Sequence, residues 1–204
     1  MLKKAHKTNF YFSKQEVHDL AKAWILLSLA FAIYFSEGIN LDFAFVMAFF
    51  VSLLTVGTAF IFHELGHKFL AQHYGCFAEF RAFNGMLFFA LVMSFFGIIF
   101  AAPGAVMISG PIGVRRNGKI SALGPGINLV LAAIFLLANI FLKNPILNII
   151  TYYGFVVNSW LALFNMLPLP MFDGAKIWRW SRLVYLSMII VAIIMMVLQG
   201  SVGL

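Results

Sequence analysis

His63 and His67 stand four residues apart, with Glu64 beside the first. On a helix this spacing stacks both imidazoles on one face, where they can share a cation, and sets Glu64 to address a water on that cation. His63-Glu64-Leu65-Gly66-His67 therefore reads as the H-E-x-x-H signature, whose chemistry is hydrolysis by a zinc-activated water with the glutamate as base. The alternative is a hydrogen-bonded polar knot that fixes helix packing. Three ionisable side chains in an apolar helix are costly without a task, which favours the metal.

Catalytic zinc takes three protein ligands and a water, and three residues compete for the third place. His73 has the offset of the longer H-E-x-x-H-x-x-G-x-x-H pattern, but Leu70 stands where that pattern needs glycine. Without a turn there, His73 lies about 15 Å further along the helix and reads as an interfacial histidine. Glu79 has Arg81 two residues on, its neighbour on one strand face, so a surface ion pair is the simpler reading. Asp173 is the only acid after Glu79. It follows Pro168 and Pro170, which unwind the chain enough to aim it inward. The expected set is His63, His67 and Asp173.

These side chains need elements that bring them to one depth. Residues 43–62 carry no charge, about 30 Å of helix, and lead straight into His63. Residues 146–172 are likewise uncharged and reach Asn165 after about twenty residues, one membrane thickness, before the prolines break the pattern. Gly124-Pro125-Gly126 and Asn128 lie early in another apolar run, residues 121–142, which Lys143-Asn144-Pro145 closes as a tight turn, with Pro suited to a helix start. A first run over residues 23–35 is short and needs Lys22 and Trp24 at the interface; a last one covers residues 183–198.

Of 204 residues, 63% are apolar and 10% charged, against roughly 45–50% and 25% in an ordinary soluble domain. The fold class expected is an all-α multi-pass membrane protein, a single polytopic domain over residues 1–204 with about five to six transmembrane helices in the lipid bilayer. One cysteine, Cys76, excludes an intrachain disulfide framework. The net charge of +7 does not indicate nucleic acid, because the 14 Lys and Arg are dispersed between apolar runs. They serve as orientation signals. Lys3, Lys4, Lys7 and Lys14 place the N-terminus in the cytoplasm, Glu37 and Asp42 mark an outer loop, and Lys176, Arg179 and Arg182 a cytoplasmic one. The active site is accordingly expected toward the cytoplasmic side. Ser36-Glu37-Gly38-Ile39-Asn40 offers no signal-peptide cleavage site, so the first helix reads as a retained anchor.

Residues 86–101 are apolar but too short for a comfortable span. A crossing there would put Arg115, Arg116 and Lys119 outside and bring Asp173 out on the face opposite His63, so none is expected. The expectation is a small β-hairpin and re-entrant region after the second helix: a hairpin turn at Asn84-Gly85, a re-entrant segment, and a strand near residues 105–108.

His63-Glu64-x-x-His67, then Gly124-Pro125-x-x-Asn128, then Asn165-x-x-Pro168-x-Pro170-x-x-Asp173-Gly174, in that order, resemble the site-2 protease family of intramembrane zinc metalloproteases over about residues 43–182, in a minimal form without a PDZ or CBS domain. The resemblance implies one Zn2+ on His63, His67 and Asp173, Glu64 as catalytic base, and Asn165 helping to hold the substrate or its developing oxyanion. Asn128 is expected mainly to pack helices. Phe172 departs from the Leu that is commoner before Asp-Gly. A cell membrane of a prokaryote is implied as the location.

The activity expected is cleavage of peptide bonds within or next to the transmembrane segment of a membrane-protein substrate. A substrate helix has its carbonyls hydrogen-bonded and must unwind first; strands within residues 78–110 are expected to capture it by strand addition. Water is expected to enter from the cytoplasmic face, near Lys68. A metal-ion transporter would need polar residues continuing to the outer face, where residues 43–62 and 146–163 offer only scattered Ser, Thr, Asn and Tyr. A catalytically inactive metal-binding partner would have no need of Glu64.

Overall fold

The computed structural model describes residues 10–36, 38–39, 42–99, 103–142 and 144–201. Lys3, Lys4, Lys7, Glu37 and Lys143, used above as orientation and turn signals, lie outside them, as do Asn40 and the end of the apolar stretch at Ala101.

Helix α1, Lys14–Phe35, starts well before the apolar run because Ser13 caps it, its Oγ accepting the Glu16 N–H at 3.0 Å. Its first turns bury Glu16 and Asp19. Helix α2, Phe43–Ser52, continues through a π turn at Leu53–Gly57 into α3, Thr58–His73. The wider turn has a local cause. Trp24 on α1 donates its Nε1–H to the Leu53 carbonyl at 2.9 Å, and its ring fills the space beside Gly57, where a Cβ would lie 1.9 Å from Trp24 Cδ1. Trp24 thus faces inward, not toward the membrane interface, because the π turn offers its indole N–H a carbonyl.

Strands β1, Phe77–Ala82, and β2, Gly104–Ser109, form an antiparallel ribbon with register from Phe77↔Ser109 to Ala82↔Gly104. The strand expected near residues 105–108 is present. Asn84-Gly85 is not a hairpin turn, however; it opens helix α4, Asn84–Ser94. The Met, Leu and Ala that follow are strong helix formers without β-branching, and propensity wins over the Asn-Gly signal. With 11 residues α4 is about 16 Å long, too short to cross a bilayer.

Helix α5, Val114–Phe141, contains Pro125, and α6, Pro145–Asn165, starts at Asn144, whose Oδ1 accepts the N–H groups of Ile146 and Leu147 at 3.0 and 3.1 Å. The chain ends with α7, Asp173–Trp180, α8, Arg182–Leu198, and a 3₁₀ turn at Gln199–Ser201. Of the described residues, 76% are helical. Among the described residues, four helical stretches are long and apolar enough to cross a membrane: Lys14–Phe35, Phe43–His73, Val114–Phe141 and Pro145–Asn165. Large apolar side chains such as Phe43, Phe88, Phe141 and Leu183 are about 70–80% exposed, as a lipid-facing surface requires and water does not favour.

The ribbon lies across α3 and α1. Phe80 N–H donates to Glu16 Oε1 at 2.9 Å, Ala82 N–H to Asp19 Oδ2 at 3.3 Å, and Gln72 Nε2 donates to the Ala78 carbonyl at 3.1 Å. Antiparallel pairing alternates, so residues 78, 80 and 82 turn their backbone groups away from β2, and their partners Ile108, Val106 and Gly104 turn theirs to the opposite edge. Side chains from α1 and α3 therefore close the β1 edge.

Candidate metal centre

His63 and His67 lie side by side on α3, ring centroids 4.7 Å apart and planes nearly perpendicular. Helix α5 holds both from behind. His63 Nδ1–H donates to Asn128 Oδ1 at 2.6 Å, and His67 Nδ1–H donates to the Ile120 carbonyl at 2.8 Å. Asn128 is oriented by its own donors: Nδ2 bonds the Ala59 carbonyl at 3.2 Å and Asn158 Oδ1 at 3.0 Å, which leaves Oδ1 as acceptor.

Ile120, Gly124 and Asn128 follow at four-residue steps along one face of α5. Helix carbonyls point toward the C-terminus and side chains lean toward the N-terminus, so acceptors eight residues apart converge on the level of Gly124. No side chain fits there. A Cβ on Gly124 would lie 2.4 Å from His67 Cε1 and 2.7 Å from His63 Nε2.

Asp173 opens α7 after the chain has left α6 at Asn165 and turned back on itself. The return is tight at Gly174, where a Cβ would lie 2.3 Å from the Met166 carbonyl oxygen. The carboxylate arrives with Oδ2 at 3.0 Å from His67 Nε2 and 3.4 Å from His63 Nε2. Lys176 Nζ sits 3.3 Å from the other oxygen, Oδ1.

The donor set fits a zinc ion. With both Nδ1 atoms donating backward, the neutral rings present their Nε2 lone pairs forward, and those two atoms are 3.0 Å apart. The three ligand atoms all lie within 4.8 Å of one another and all three residues are buried. Bonds of about 2.0–2.1 Å in tetrahedral geometry require ligand atoms roughly 3.3 Å apart, which the 3.0, 3.0 and 3.4 Å separations approach. Three converging acceptors with no hydrogen between them repel unless a cation joins them.

Glu64, also buried, points its Oε2 at the Val106 N–H of β2, 3.1 Å away. A cavity of about 200 Å³ is bordered by Glu64, both histidines, Asp173, Val106 and Asn165, with room for several waters. Asn165 donates its Nδ2 to the Leu161 carbonyl at 2.9 Å. His73 ends α3, exposed and apart from the cluster. Glu79 pairs with Arg81 at 3.0 Å as expected, but it is buried and also accepts the Ser13 hydroxyl, so it is no surface pair. Lys68 does not line a water entrance. It is fully buried in an ion pair with Glu16, because it falls on the α3 face that the ribbon and α1 cover.

Sequence reasoning missed the Ile120 carbonyl and the Val106 N–H, which are backbone groups and leave no side-chain signal. It undervalued Asn128, although the four-residue step from Gly124 could have marked both as facing the histidines. Lys68 and Gln72 likewise continue the helical stripe begun by Glu64.

A protein of Methanocaldococcus jannaschii with the curated name "Putative zinc metalloprotease" is 40% identical to this chain over 179 residues, covering 86% of this chain and 90% of that protein. The chain belongs to the site-2 protease family of zinc metalloproteases. No protein-family profile matches it, and no solved structure matches it. In this site-2 protease the motifs that mark the family converge in space: the histidines from α3, Asp173 from the start of α7, and Asn128 and Gly124 from α5 behind them.

Proposed function

We propose that this site-2 protease is an endopeptidase that hydrolyses peptide bonds within or next to transmembrane segments of membrane proteins, with one Zn2+ held by His63, His67 and Asp173 and with Glu64 as general base. The observation that carries the reading is the meeting of three buried metal-ligand atoms and a buried carboxylate at one cavity. Zinc bound there would lower the pKa of a water to near 7 and polarise the peptide carbonyl. The Glu64 carboxylate, buried at the same cavity, would take up a proton from water and deliver it to the leaving amine nitrogen. Asn128 and the Ile120 carbonyl keep the imidazoles neutral with Nε2 forward. Lys176 engages Asp173 Oδ1 and leaves Oδ2 to the metal. Asn165, at the same cavity, is suited to donate to the substrate carbonyl as negative charge develops on its oxygen.

The β1 edge is engaged by Glu16, Asp19 and Gln72, which leaves the β2 edge at Gly104 and Ile108, on either side of the Val106 N–H that Glu64 holds, for an unwound substrate segment to pair with. In the membrane we place five crossings: the four long stretches and α8, whose 17 residues extend about 26 Å, with α4 re-entrant. Arg115, Arg116, Lys176, Arg179 and Arg182 gather where α5 and α7 meet the histidines, which supports a cytoplasmic N-terminus and a site on the cytoplasmic side of the cell membrane.

The test is cleavage of a panel of single-span substrates by purified protein in detergent with zinc, beside Glu64→Gln. The wild type is expected to cut inside the apolar segment, to stop when a chelator removes zinc, and to resume on its return. Glu64→Gln should keep the metal and cut nothing. Equal cleavage by the two proteins would clear Glu64 of its role, and zinc-loaded wild type that cuts no substrate would overturn the protease reading.

A further inference from the structure

Glu16 and Lys68 form an ion pair with both side chains fully buried. Lys68 Nζ lies 3.8 Å from the centre of the Phe12 ring and 5.4 Å from those of Phe10 and Tyr11. Burying two charges is not an efficient way to stabilise a fold, because an apolar pair of similar volume does as well or better. What an apolar residue cannot do is accept a hydrogen bond, and Glu16 uses both carboxylate oxygens: Oε2 for Lys68 and Oε1 for the Phe80 N–H at 2.9 Å.

Phe80 is the register partner of Val106, and the Val106 N–H leaves the opposite edge of the ribbon to reach Glu64 Oε2 at 3.1 Å. One rung of the ribbon is therefore gripped at both ends by carboxylates, Glu16 on the N-terminal helix and Glu64 in the site. We infer that Glu16 is a positioning residue for hydrolysis, fixing through the Phe80–Val106 rung the place where Glu64 stands. Helix α1 lies outside residues 43–182, which carry the motifs of the family, and none of the metal ligands accounts for a buried acid there. The inference rests on the proposed role of Glu64 for its kinetic consequence, but the mechanical link across the rung stands apart from it.

The test compares Glu16→Leu/Lys68→Met, which removes the charges and the acceptor together, with Glu16→Gln/Lys68→Met, which keeps a neutral acceptor for Phe80. Displacing a catalytic group by about 1 Å can cost up to 100-fold in rate. We expect the Leu/Met protein to bind zinc at one equivalent while kcat falls about tenfold and KM stays within about twofold, and the Gln/Met protein to recover kcat several-fold above it. Adding Val106→Pro, which deletes the N–H that reaches Glu64 on an edge where no ladder bond is lost, should then change the Leu/Met protein little although it slows the wild type. Equal kcat in the Leu and Gln variants, or fully multiplicative effects with Val106→Pro, would overturn the inference.

Hydrogen exchange of the near-isosteric Gln/Met protein gives a second readout that needs neither activity nor the Leu variant. A neutral acceptor is weaker than a carboxylate, so the amides of Phe80 and Val106 should lose protection together. Loss at Phe80 with Val106 unchanged would refute the link even if no cleavage were seen in any protein, whereas wild-type inactivity would count against the protease reading alone.

Discussion

Asn128→Leu isolates the contribution of the group behind the metal ligands. Leucine keeps the forked shape and heavy-atom count of asparagine but cannot accept the His63 Nδ1–H that now meets Asn128 Oδ1 at 2.6 Å in a fully buried place. In the zinc-bound protein the proton must sit on Nδ1, because Nε2 holds the metal; without zinc it can move to Nε2. The loss therefore falls on the bound state and appears as metal affinity. A buried donor left without a partner costs about 1–3 kcal/mol, and at about 1.4 kcal/mol per tenfold this is a factor of roughly 5 to 150 in dissociation constant. That range brackets the 10- to 100-fold typical of the outer partners of metal-bound histidines. Competition against a fluorescent zinc indicator would measure it. Asn158→Leu is the control: it breaks the bond from Asn128 Nδ2 to Asn158 Oδ1 and leaves His63 its acceptor, so stability should fall while zinc affinity changes by only a few-fold. Zinc affinity within twofold of wild type in Asn128→Leu would refute the reasoning.

Gly124→Ala should abolish stoichiometric zinc binding, because the added Cβ would stand 2.5 Å from His67 Nε2 and backbone on both helices resists displacement; metal analysis of the purified protein decides it. At the π turn, Trp24→Phe keeps the ring but removes the N–H that bonds Leu53, and should lower thermal stability in detergent by about 1 kcal/mol with zinc content unchanged; an unchanged unfolding temperature would deny that bond its weight.

The chemistry was legible because it rests on side chains whose type cannot be exchanged. His63, Glu64 and His67 are fixed by helical spacing, and Asp173 is the only acid beyond Glu79. The helices carrying them were legible as uncharged stretches of the right length, and Asn144-Pro145 announced the start of α6. Asn84-Gly85 misled because a turn signal is local, while the helix-forming stretch after it is longer and outweighs it. Trp24 and Lys68 misled for a related reason. Both were read as interfacial from their side-chain chemistry alone, and their partners, the Leu53 carbonyl and Glu16, lie 29 and 52 residues away in sequence. Single-residue reasoning reaches as far as a helix turn; the pairing of distant elements comes from the fold.

The order in which the chain emerges from the ribosome gives the separation of the ligands a further meaning. His63 and His67 enter the membrane while α5, which holds their acceptors, and Asp173, about a hundred residues further on, have yet to be made. At 5–20 residues per second the interval to Asp173 is roughly 5–20 s. Until α5 emerges, about halfway through, the two histidines lack the acceptors that orient them. With the proposed ligand set, zinc capture would be deferred to the last stage of biosynthesis, and a chain truncated before α7 would lack Asp173.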